Sequence, residues 1–207
     1  MNTRLLSLTA AALVALPATA PATTVWTETG DAGDALVTSQ PTVGGGALTQ
    51  ISGTLPTDSD VDIYRITITN PATFAAWTRG TLMTDPDLWL FDSAGVGIAH
   101  NDVMLGTYTT VSGAPAAGSY FLAITNDGAD ALSAGGLIWT SPYGISGSRA
   151  PDGPGAAQPF ANWSGTMLNN GSAYTINLQG AEFSAIPEPA TAGLLALGGL
   201  CVARRRR

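Results

Sequence analysis

Between residues 23 and 185, apolar and polar positions alternate in short runs rather than recurring at helical spacing. A period of two is that of a strand with one face covered. The cleanest run is Val61-Asp62-Ile63-Tyr64-Arg65-Ile66-Thr67-Ile68-Thr69. Val61, Ile63, Arg65, Thr67 and Thr69 fall on one face, and Asp62, Tyr64, Ile66 and Ile68 on the other. Tyr64, Ile66 and Ile68 make the better core set. Further strands are predicted over 73–78, 88–91, 96–99, 108–111, 120–125, 137–139 and 174–178, with Gly30, Gly53, Gly95, Gly118 and Gly128 as punctuation. Short strands at this spacing, with no helix between them, predict an all-β fold, an antiparallel, jelly-roll-like β-sandwich. Residues 140–171, rich in Ser, Pro, Gly and Asn, predict one long loop. Phe160 and Trp163 within it are expected to pack partly onto the body.

The two ends follow a different logic. In residues 1–22, Arg4 precedes an apolar run from Leu5 to Leu16 and then small residues. This is the order of a signal peptide, cut after Ala20 or Ala22. At the other end come Ile186-Pro187-Glu188-Pro189, an apolar run over 190–203, and Arg204, Arg205, Arg206 and Arg207. Two prolines around a glutamate continue neither helix nor ladder, so that segment is expected to be extended and open to an enzyme. The apolar run would span only about 21 Å as a helix, against about 30 Å of hydrocarbon. The arginines supply a cytoplasmic-side charge. The chain thus divides into a signal peptide (1–22), a β-sandwich domain (23–185) and a C-terminal signal with a short transmembrane helix (186–207).

This tripartite end resembles the PEP-CTERM sorting signal, with Pro187, Glu188 and Pro189 as its motif. The resemblance implies an exosortase-like transpeptidase as partner, transient anchoring in the inner membrane of a Gram-negative bacterium, and delivery to a surface or matrix containing exopolysaccharide. A second resemblance lies in the body. Asp60-Val61-Asp62-Ile63-Tyr64-Arg65-Ile66, Asp87-Leu88-Trp89-Leu90-Phe91-Asp92-Ser93-Ala94-Gly95 and Ala117-Gly118-Ser119-Tyr120-Phe121-Leu122-Ala123-Ile124 are similar, in order, to three motifs of the bacterial pre-peptidase C-terminal domain. Residues 132–138 and 171–180 resemble a variant called the DVUA0089 family. These resemblances imply a β-sandwich that serves as an accessory module rather than a catalyst.

Charge narrows the partners. All eight basic residues are arginines, and between residues 23 and 186 only Arg65, Arg79 and Arg149 face fourteen carboxylates. Such a body is a poor partner for nucleic acid, whose phosphates select Lys and Arg. One Cys and one His exclude an internal disulfide and a zinc site built from Cys and His. Cys201 lies in the apolar run and reads as a filler.

The carboxylates carry the main candidate chemistry. Asp58, Asp60 and Asp62 alternate into a strand, so their charges would repel without a cation. Calcium takes six to eight oxygen ligands, and Asp58, Asp60, Asp62 and Asp87 are its candidate ligands. The spacing is not that of an EF-hand, because Ile63 stands where that loop needs Gly and Thr69 where it needs Glu. The competing reading is turn chemistry, in which Asp accepts nearby backbone amides. Nucleophilic catalysis has little to build on: His100 is the lone imidazole and reads as a surface residue after a strand, and no Gly-x-Ser-x-Gly elbow occurs. Tyr143 and Trp163 in the long loop are candidate glycan contacts. The resulting expectation is an exported, non-enzymatic surface or matrix protein, sorted through its Pro-Glu-Pro signal and associated with exopolysaccharide. The alternative is a calcium-dependent carbohydrate-binding module. Behind both stands a polysaccharide hydrolase using paired carboxylates.

Overall fold

The computed structural model describes residues 24–78, 85–102, 110–140, 145–165 and 173–184. The expected signal peptide, Tyr143 and the C-terminal signal from residue 186 onward lie outside these residues. The described elements are fifteen strands, β1 to β15 in chain order, and none is a helix.

The alternating run at 61–69 forms β4 (Val61–Ile68). It lies between β9 (Gly118–Asn126) and β15 (Ala181–Phe183) in a sheet that continues from β9 through β6 (Pro86–Asp92) and β7 (Gly97–Asp102) to β12 (Ile145–Arg149). β2 (Gln40–Pro41) runs parallel to β4 on the same side as β15. A second sheet has the order β1 (Val25–Thr27), β3 (Gln50–Thr54), β14 (Ala173–Gln179), β5 (Ala75–Thr78), β8 (Thr110–Ser112). A third has β10 (Ala129–Ser133) between β11 (Gly136–Leu137) and β13 (Phe160–Gly165).

The turns follow from residue type. Between β6 and β7, Asp92 Oδ1 accepts the N–H groups of Ala94 and Val96, both at 2.9 Å, and Gly95 adopts φ +84°. That conformation is nearly free for glycine and costly for other residues. Asn126-Asp127-Gly128 turns β9 into β10, again with a left-handed glycine, Gly128 at φ +85°.

Two cores hold the sheets together. Tyr64, Ile66, Ile68, Leu88, Leu122 and Ile124 from the central sheet pack against Ile51, Ile176 and Leu178 of the second. On the opposite face, Val61, Ile63, Trp89, Phe91 and Ala123 meet Ala129, Ala131, Ile138, Trp139 and Phe160 around the third sheet. The expected core set of Tyr64, Ile66 and Ile68 is buried. Val61 and Ile63, placed on the other face, are buried as well, because the third sheet covers them.

The structure corrects four expectations. The architecture is consistent with a β-sandwich, but its sheets are mixed: β1 pairs with β3 and β2 with β4 in parallel. The connections between these strands are long enough to bring the chain round, which parallel pairing requires. The predicted loop at 140–171 is not structureless, since β12 and β13 lie within it. β13 buries only Phe160 and leaves its other residues exposed or half-buried, so no period-two signal marks it. Gly53 does not end a strand but lies inside β3, where the side chains of Glu28 and Tyr174 occupy the space a Cβ would need. His100 is not a surface residue: it lies within β7, 6% exposed, its ring stacked on Trp89 at 3.5 Å between centroids.

Candidate functional site

The carboxylates collect at one end of the central sheet, on its two faces. Asp62, near the start of β4, pairs with Ile124, and Asp87, near the start of β6, pairs with Thr125. Strand alternation turns Asp62 toward the first core, with Tyr64, and Asp87 toward the second, with Trp89.

On the first face, carboxylate oxygens of Glu28, Asp31 and Asp62 lie within 4.8 Å of one another, as do those of Asp31, Asp34 and Asp60. The parallel pairing of β1 with β3 delivers Glu28, and the turn after it delivers Asp31 and Asp34. This group has its own protein donors. Glu28 Oε1 accepts the Ala32 N–H at 3.2 Å and Oε2 the Thr54 N–H at 2.9 Å. Asp31 Oδ1 accepts the Gly33 N–H at 2.8 Å. Asp62 Oδ1 accepts the Ala32 N–H at 3.3 Å, and its Oδ2 accepts the Tyr174 hydroxyl, which is bonded in turn to the Tyr64 hydroxyl.

Burial raises the Asp62 carboxyl well above the usual range; the Tyr174 hydrogen bond opposes this, and the Glu28 and Asp60 charges add to it. Asp60 is pushed up to about 6, by burial first and then by Asp31, Asp34 and Glu28. Both groups therefore hold a proton to higher pH than a free aspartate does.

On the second face, oxygens of Asp87, Asp102 and Asp127 lie within 4.8 Å of one another. They come from the start of β6, the end of β7 and the β9–β10 turn. Asp87 is 1% exposed, and its Oδ1 has no hydrogen-bond partner. Burial lifts it far above the ordinary range, reinforced by the charges of Asp102, Asp127, Asp85 and Asp130.

Beside Asp102 is a cavity of about 20 Å³ lined by Trp89, His100, Asp130, Trp139 and Arg149, among others, room for about one water. Neither ring nitrogen of His100 has a hydrogen-bond partner. Burial, assisted by the Arg149 charge, lowers His100 to about 3, so its ring is neutral.

The expected calcium ligands are thus distributed over different places. Asp60 and Asp62 belong to the first face and Asp87 to the second, while exposed Asp58 is in neither group. Glu28, Asp31, Asp34, Asp102 and Asp127 complete the two groups and were not among the expected ligands. Signals for them exist. Glu28-Thr29-Gly30-Asp31-Ala32-Gly33-Asp34 spaces acids by three among glycines, and Asp127 occupies a hairpin-turn sequence.

Trp163 packs its ring against Phe160 at 4.7 Å and Trp89 at 5.3 Å, and its indole N–H donates to the Asp34 carbonyl at 2.9 Å. One side borders an open groove of about 430 Å³, lined also by Asp34, Ser59, Asn162 and Ser164.

Residues 185–207 match the PEP-CTERM protein-sorting motif. The motif implies export, processing by an exosortase-type enzyme, and extracellular or surface placement. No curated protein matches the chain.

Proposed function

We propose that the chain is a non-enzymatic surface or matrix protein that an exosortase-like transpeptidase cuts at Pro187, Glu188 and Pro189, and that its β body then acts as a binding or spacer module associated with exopolysaccharide. The observation that carries this reading is the sorting motif at 185–207. The similarity of the body to pre-peptidase C-terminal and DVUA0089 domains belongs to the same reading, since such modules accompany other activities rather than perform one. Replacing Glu188 by Ala in the native host is expected to hold the chain in the membrane fraction. Release at the wild-type level would contradict the proposal.

A second reading, a calcium-dependent carbohydrate-binding module, is favoured by one contiguity. The groove beside Trp163 offers an aromatic edge and several polar side chains, the composition that orients a polar ligand. Asp34 lines this groove and also belongs to the Asp31–Asp34–Asp60 group. Asn162, exposed on β13, lines this groove. Asn162→Ala should therefore lower retention on the host's exopolysaccharide without changing the melting temperature. Chelation of calcium should do the same to the wild type. Retention indifferent to both sets this reading aside.

A further inference from the structure

The two carboxylate groups differ in how their charge is met. On the first face, backbone amides and the Tyr174 hydroxyl donate to Glu28, Asp31 and Asp62. On the second, Asp87 is 1% exposed with Oδ1 unpartnered, yet its carboxylate lies within 4.8 Å of those of Asp102 and Asp127. A buried carboxylate oxygen without a donor is expensive, and more so beside other carboxylates of the same sign. Nature's usual remedies are a proton or a cation.

We infer that Asp87, Asp102 and Asp127 form a hard-cation site on the second face of the central sheet, with calcium its best-fitting occupant. Every ligand offered is a carboxylate oxygen, which suits calcium or magnesium and not a soft metal. Three carboxylates binding through one or both oxygens supply three to six ligands, and calcium tolerates such irregular sets where magnesium demands an octahedron. Waters supply the remaining ligands such an ion takes. The ligands come from three successive stretches of chain: the start of β6, the end of β7 and the β9–β10 turn. An ion there ties the central sheet to the third. The groove of the glycan reading is lined by β13 and by residues around Asp34 and Ser59, and none of these three carboxylates borders it.

The test counts calcium bound by the full chain after stripping with EGTA, using equilibrium dialysis, alongside melting with and without the ion. The wild type should bind calcium and melt higher in its presence. Asp87→Asn should bind one equivalent fewer and lose that rise, while melting no lower than wild type in EGTA, because a neutral amide relieves the buried charge. Asp127→Asn, at a half-buried turn position, should also lose the equivalent and provides the reading if Asp87→Asn fails to fold. Asp60→Asn on the opposite face should leave this equivalent bound. Equal calcium binding by wild type and the Asp87 and Asp127 variants, zero included, overturns the inference.

Discussion

At Asp62 a carboxyl group serves the fold better protonated than ionised. It is 0% exposed, and burial sets its affinity for a proton above that of the unfolded chain. The sign follows from linkage. A free Asp titrates at about 3.9, so from there upward the folded state keeps a proton that the unfolded state has released, and stability falls as pH rises. Asp60, raised to about 6, acts in the same direction. His100 acts in the opposite one: its neutral ring is lowered to about 3 from 6.5, so its contribution is present above the unfolded value and is lost as pH falls. With one histidine against several raised carboxylates, the cation-free protein should melt at a lower temperature near pH 8 than near pH 5. Asn at position 62 imitates the protonated acid, so Asp62→Asn should flatten this slope. Melting curves across that interval check it, and an unchanged slope in the variant would show that Asp62 is already ionised.

Strands join what single residues cannot. β3 lies between β1 and β14, and Gly53 in β3 leaves the space into which the Tyr174 hydroxyl and the Glu28 carboxylate converge. Gly53→Ala places a methyl group there. The expected loss is about 1–3 kcal/mol, the usual cost of overpacking a closed site, measurable by urea denaturation. A variant as stable as wild type would mean that the two side chains can separate freely. This element also shows how far the sequence could be read. The alternation of Val61 to Ile68 identifies β4 without help, because both the period and the residue types agree. What it could not reveal was a second cover: Val61 and Ile63 look like the lesser face until β10 and β13 are laid over them. β12 and β13 themselves escape notice because Ser, Gly and Asn interrupt their apolar positions, and β13 buries only Phe160. The site was half legible for the same reason. Asp60 and Asp62 stand out by spacing, but Glu28 reaches them only through a parallel pairing that joins residues 25–27 to 50–52, a contact no local pattern encodes. Asp87 was found by its neighbourhood along the chain, its partners Asp102 and Asp127 only by the sheet that brings them together.

For the whole molecule, the body and the tail have opposite characters. Residues 23–186 hold three arginines against fourteen carboxylates, whereas the chain closes on four consecutive arginines. The basic end is suited to stay on the cytoplasmic side of a membrane, and the acidic body to remain soluble beyond it. Between them stands the Pro-Glu-Pro segment that the sorting motif includes. The central claim is that this junction is cut, and that the body leaves without its basic tail. The most direct measurement is the intact mass of the protein from each cell fraction of its native host, with and without the exosortase. The account predicts a C-terminus near Glu188 in the exported fraction, and loss of that species when the enzyme is deleted. A mass retaining residues 190–207 in both strains would contradict it, and the tail would then be only an anchor.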